Sequence, residues 1–170
     1  CGGGPLDVAV LTVTNQGAFQ VVAARGDNGL GGKNLDALVQ RWVEERLEER
    51  DPATVEWLRR QAPVDVVQAM QDSIRRAKEL LSEAPSATIT VSTPTGRRTL
   101  QITRDELDEL IAPAIDQAIR LTRATLLDGG IAHPDQLTAL YLTGGSSRIP
   151  LVQQRLAELG PVATLDDPKT

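Results

Sequence analysis

The segment Leu6-Asp7-Val8-Ala9-Val10-Leu11 is largely apolar on both of its alternating faces. A strand with two apolar faces has to be covered from both sides, so it belongs inside a sheet flanked by other layers, not at an edge. Helical periods elsewhere in the chain then predict an α/β fold. A central strand that begins at Leu6 also leads us to expect chain before Cys1, and hence a longer parent protein.

Asn15-Gln16-Gly17 is a turn signal, and 18–24 alternates as a second strand, so the first two strands form a hairpin. The glycine-rich stretch Gly26-Asp27-Asn28-Gly29-Leu30-Gly31-Gly32 reads as a loop. From Leu35 the period becomes helical through Leu38, Val39, Trp42, Val43 and Leu47. Asp51-Pro52 supplies a cap and a first-turn proline for a second helix. Beyond Pro63, a third carries Val67, Met70, Ile74, Ala77 and Leu81 on one face. A hairpin follows, 87–92 returning over 99–103 through Pro94-Thr95-Gly96, and Thr103 with Glu106 forms a capping box. That helix is expected to kink near Pro113 and stop at Gly129-Gly130. A short buried strand, 137–143, a tight turn, 144–148, and a helix from Pro150 to Gly160 complete the chain.

Composition narrows the function classes. The 170 residues carry a net charge of −5, and Phe19, Trp42, Trp57 and Tyr141 are the only aromatic side chains. An acidic chain with so little to stack bases on is not a nucleic-acid binder. Cys1 and His133 are the sole cysteine and histidine, which excludes an internal disulfide, a structural zinc cage and any Ser-His or Cys-His pair not built on that one ring. No apolar run reaches the roughly 18 residues that span a bilayer. These features lead us to expect a cytoplasmic, reducing setting, with no sign of membrane contact in the chain itself, although the parent can still be membrane-attached.

Three glycine turns adjoin predicted strands: Gly2-Gly3-Gly4, Gly31-Gly32 and Gly144-Gly145. Phosphate is held by backbone N–H groups converging at short range, where a Cβ would obstruct the approach. The third turn leads directly into a helix, whose first amides and positive dipole end favour an anion.

Four segments, in order, resemble the DnaK-type, seventy-kilodalton heat-shock chaperones. Gly144-Gly145-Ser146-Ser147-Arg148-Ile149-Pro150 is similar to that family's phosphate-and-adenosine turn, and Gly2-Gly3-Gly4-Pro5-Leu6-Asp7 to its second phosphate loop. The stretch from Gly26 to Asp36 resembles its GDTHLGGEDFD segment, and 76–82 its adenosine-clamping helix. The resemblance implies the second lobe of an actin-like ATPase: an RNase H-like core sheet with helices from 1–30 and 111–170, carrying an inserted α+β subdomain from 31–110. It implies ATP or ADP with Mg²⁺, bound in a cleft shared with a first lobe of the same parent chain. Gly2, Gly3 and Gly4 would then lie on the phosphates, and Asp7 would hold the metal through water. Gly31, Gly32, Arg75, Lys78, Glu79 and Ser82 would belong to the nucleotide contacts. Gly144, Gly145, Ser146, Ser147 and Arg148 would complete the nucleoside pocket, with the Arg148 guanidinium along the base. A nucleotide-exchange factor on 31–110 is implied too, the helix 35–50 being a candidate.

The chain departs from the family pattern at three places. Pro5 replaces a threonine, removing an N–H and a hydroxyl; Arg75 replaces a glutamate; Lys33 replaces an acid. Two functions therefore stay open: part of an ATP-hydrolysing chaperone, with little turnover by this chain alone, or a degenerate, non-hydrolysing nucleotide-binding or regulatory module. A filament subunit or sugar kinase on the same fold is disfavoured by the four-segment match. Read by residue type alone, Arg75, Arg76 and Lys78 are a solvated helix face and Asp7 is a strand-end carboxylate. By the same reading, Trp42 and Trp57 are packing residues.

Overall fold

The computed structural model describes residues 6–13, 19–27, 31–128, 130, 139–143, 148–160 and 162–164. The chain divides into two compact units: Cys1–Leu35 with Ala112–Thr170, and Asp36–Ile111.

The first unit is built on a four-stranded sheet. β1 (Leu6–Val13) and β2 (Phe19–Asp27) form the expected antiparallel hairpin, with an irregularity between Val10 and Leu11. β5 (Ala139–Thr143) lies antiparallel on the other side of β1, and β6 (Val162–Thr164) runs parallel to β5, giving the order β2-β1-β5-β6. β1 is therefore interior, as its two apolar faces require. α5 (Pro150–Ala157) joins β5 to β6, so this end of the chain is a parallel strand–helix–strand crossover. Pro150 occupies the first turn of α5, where its missing N–H costs nothing, and Val152 and Leu156 are its buried residues.

The second unit packs helices against a two-stranded ribbon. Most of α1 (Gly32–Glu48), together with α2 (Pro52–Arg60) and α3 (Val64–Leu80), precedes the antiparallel pair β3 (Ser86–Thr93) and β4 (Gly96–Thr103). Its core includes Leu58, Met70, Ile74, Leu81, Ile89 and Ile102, all buried. Burying side chains of this kind contributes about 1.5–3 kcal/mol each, which is what makes a two-stranded ribbon viable here. Gly96 turns the ribbon at φ +145°, a conformation that side chains with a Cβ rarely adopt.

Two caps behave as the sequence predicts. The Asp51 carboxylate accepts from Thr54 N–H at 3.2 Å and from the Thr54 hydroxyl at 2.6 Å, starting α2. At α4 (Arg104–Asp128), Glu106 N–H donates to the Thr103 hydroxyl at 3.1 Å while the Glu106 carboxylate accepts from Thr103 N–H at 3.1 Å. α4 then continues unbroken through Pro113 to Asp128, followed by Gly130 at φ +83°.

Several boundaries differ from expectation. Gly26 and Asp27 belong to β2 and not to a loop, because Gly26 pairs with Asp7 and Asp27 with Leu6; a ladder partner offsets glycine's low strand preference. Gly32 already opens α1, with the Gly31 carbonyl accepting from Asn34 and Leu35 N–H. The returning ribbon strand starts at Gly96 and not Thr99, and α5 ends at Ala157, short of Gly160. β6, only three residues long, has no periodic signature and is held by its partner β5.

Candidate functional site

The strand registers bring the start of β1 and the ends of β2 and β5 to one end of the sheet. Leu6 pairs with Asp27, and Asp7 pairs with Gly26 on one side and Thr143 on the other. Thr143 is the residue before Gly144, Asp7 stands three residues after Gly4, and Asp27 precedes the stretch ending in Gly31-Gly32. β1 therefore begins where β2 and β5 end. In open α/β sheets ligands bind beyond strand ends, and Thr143 is the carboxyl end of β5. Gly2, Gly3, Gly4, Pro5, Gly144, Gly145, Ser146 and Ser147 lie outside the described residues, and Asp7 is placed by its backbone.

Of the flanking positions, Gly31 and Gly32 are buried at the start of α1, and Arg148 is exposed just ahead of α5. Ile149, buried between Arg148 and Pro150, anchors that entry.

On α3 the sequence-predicted residues separate. Lys78 is only 6% exposed, and its ammonium sits 2.8 Å from Asp36 Oδ1. Arg75 lies on the exposed face, paired with Asp72 at 3.0 Å, and Arg76 donates to the Asp72 carbonyl at 3.4 Å. Glu79 is exposed, and Ser82 is half-buried in the turn that follows α3. A solvated face therefore describes Arg75 and Arg76 but not Lys78. A lysine withdrawn from water needs a carboxylate at contact distance, because an uncompensated ammonium would shed its proton.

Two supporting residues escaped the sequence reading. Asp36 faces Lys78 across 42 residues of sequence, and its only advance signal was its place at the end of the Gly26–Asp36 stretch. Arg104 donates through Nε to the Leu81 carbonyl at 2.8 Å and through a terminal nitrogen to the Ala84 carbonyl at 3.2 Å, bracketing Ser82. Among the described residues no group of acidic, histidine or cysteine side chains is arranged to hold a metal directly, and no helix is long and apolar enough to cross a membrane.

Comparison with known proteins places this architecture. The family model for the Hsp70 protein matches residues 1–162. The chain belongs to the Hsp70 family. Its Hsp70 relatives include chaperone protein HscA of Pectobacterium carotovorum subsp. carotovorum, 32% identical over 173 residues that take in 99% of this chain and 25% of that protein. Chaperone protein HscA of Shigella boydii is 31% identical over 171 residues, again 99% of this chain and 25% of the relative. Chaperone protein HscA of Yersinia pseudotuberculosis is 30% identical, with 99% and 24% covered. The chain thus spans about a quarter of the length of the curated Hsp70-family chaperones it matches, and the family carries the actin-like ATPase fold.

Proposed function

We propose that this chain is the second lobe of a chaperone ATPase domain, and that it holds the phosphate and adenosine ends of ATP or ADP with Mg²⁺. In this reading 31–110 is the subdomain inserted into the core lobe, and a first lobe of the same parent closes the cleft. The observation that supports it most is the double pairing of Asp7 with Gly26 and Thr143, because it sets the three strand ends next to which the glycine-rich segments stand in sequence at one end of one sheet. The residues suit such a ligand: glycines leave backbone N–H groups approachable, and a buried Lys78 held at 2.8 Å from Asp36 supplies a fixed cation.

The roles follow from side-chain chemistry. Gly2–Gly4 and Gly144–Gly145 bind phosphate through the main chain, and Ser146, Ser147 and Arg148 enclose the nucleoside. Lys78 and Ser82 orient the sugar, with Gly31, Gly32 and Glu79 beside them. Asp7 holds the hydrated metal. When bound, Mg²⁺ neutralises phosphate charge. Pro5 bears on turnover: it offers neither N–H nor hydroxyl, so one donor near the γ-phosphate is missing. That favours a slow ATPase, or a second reading in which nucleotide only regulates the chain. A co-chaperone such as an exchange factor on 31–110 and a cytoplasmic location complete the proposal.

The intact protein tests it. Mg·ATP should raise its melting temperature, and Pro5→Thr should raise single-turnover hydrolysis. No thermal shift with ATP or ADP overturns the site; a shift without hydrolysis in either variant selects the regulatory reading.

A further inference from the structure

The β3–β4 ribbon has two edges, and the fold treats them differently. On β3, Thr90 N–H donates to the Ser73 hydroxyl of α3 at 3.0 Å, so that edge is closed by a helix. An N–H aimed away from the partner strand makes Thr90–Thr99 a non-hydrogen-bonded pair. By alternation, the N–H and C=O groups of Arg97, Thr99, Gln101 and Thr103 also point away from β3, toward the free edge of β4. The Arg104 N–H bond to the Pro85 carbonyl, one step beyond the ribbon, fits the same alternation. Glu106 caps the Thr103 N–H at 3.1 Å. For Arg97, Thr99 and Gln101, no hydrogen bond to the outward backbone groups exists among the described residues.

These three residues line a groove of about 520 Å³ within the second unit, with α1 as its other wall. Its apolar side is the half-buried Leu100, with Trp42 and Leu47, 8% and 4% exposed, showing only their edges. Its charges are unevenly spent. Arg46 is taken by Glu106 at 3.1 Å and by the Trp42 ring, at 5.2 Å from its centroid; Arg98 lies 3.7 Å from Asp51. Arg50 and Arg97, both exposed, make no ion pair among the described residues, against the single unpaired carboxylate Glu49.

We propose that β4 is a docking edge for an extended acidic segment of a partner protein, which adds as a third strand and sets its carboxylates against Arg50 and Arg97. An open row of backbone donors and acceptors is a template for strand addition, and the pockets beside it select side chains at alternate positions. Three outward-facing residues ask for a partner stretch of about five residues, with alternate apolar side chains toward the half-buried Leu100. This proposal is independent of the nucleotide site.

The test uses the intact protein and a synthetic peptide of about eight residues alternating Glu and Val. We expect binding that slows amide hydrogen exchange in 97–101. Arg50→Glu with Arg97→Glu, both on exposed side chains, should weaken it at least tenfold, on the order of 1.4 kcal/mol. The peptide alternating Lys and Val should bind at least as much more weakly. N-methylation of alternate peptide amides, in whichever of the two registers faces β4, should abolish binding. Equal binding of the acidic and basic peptides overturns the proposal, as does indifference to N-methylation in both registers or protection elsewhere in the chain. Self-association of the protein that disappears in the double variant also overturns it, since the edge would then serve a second copy.

Discussion

The two units place their chemistry in different materials. In the first unit the candidate contacts are main-chain groups of glycine segments next in sequence to the strands, and these residues matter by what they lack. On α3 of the second unit the candidate contact is one long side chain, Lys78, with the Asp36 carboxylate 2.8 Å from its ammonium. A main-chain site tolerates loss of neighbouring side chains and fails when atoms are added. A side-chain site fails when atoms are removed. The same substitution logic therefore cannot be applied to both units.

Three experiments would break or sharpen that contrast. The largest effect is expected from Asp36→Ala, which removes the carboxylate 2.8 Å from a buried ammonium. Discounted for the quarter exposure of Asp36, the loss should be about 2–3 kcal/mol of unfolding free energy by urea titration. Lys78→Met in the same background should recover much of it, and failure to do so would mean the two residues are not energetically coupled. Next comes Gly145→Val in the intact protein, expected to cost at least tenfold in ATP affinity, on the order of 1.4 kcal/mol, with an unchanged melting temperature in the absence of nucleotide. If stability falls instead and affinity holds, the glycine is a folding requirement and the main-chain description of that site is wrong.

The smallest effect concerns Asp51. The Thr54 hydroxyl, joined by Thr54 N–H and the Arg98 charge, holds its carboxyl below the usual carboxylate range against a smaller opposing push from burial. A depressed native value means stability that is present above the unfolded-state value and lost as acid protonates the native carboxylate. The gap between the native protein and Asp51→Asn should therefore be widest near neutrality and close on acidification. A gap independent of pH would assign the cap to hydrogen bonding alone.

The legible parts of the fold were those with a local cause. The interior position of β1 followed from its two apolar faces, α2 from Asp51-Pro52, and the start of α4 from Thr103 and Glu106, because each signal sits within a few residues of its effect. β6 and the strand character of Gly26 were not legible, since both exist only through partners far along the chain, Leu140–Leu142 and Asp7. The site behaved alike. The burial of Lys78 depended on a carboxylate 42 residues away and on a helix face that residue type alone would have left in water. Arg104 was invisible for the same reason: its acceptors are carbonyls, which every residue possesses.

Arg104 opens α4 and grips the carbonyls of Leu81 and Ala84, so its cation stands between the electron-rich tail of one helix and the head of the next. Fastened in this way, the short bend holding Ser82 cannot swing away from the start of α4 without breaking both bonds.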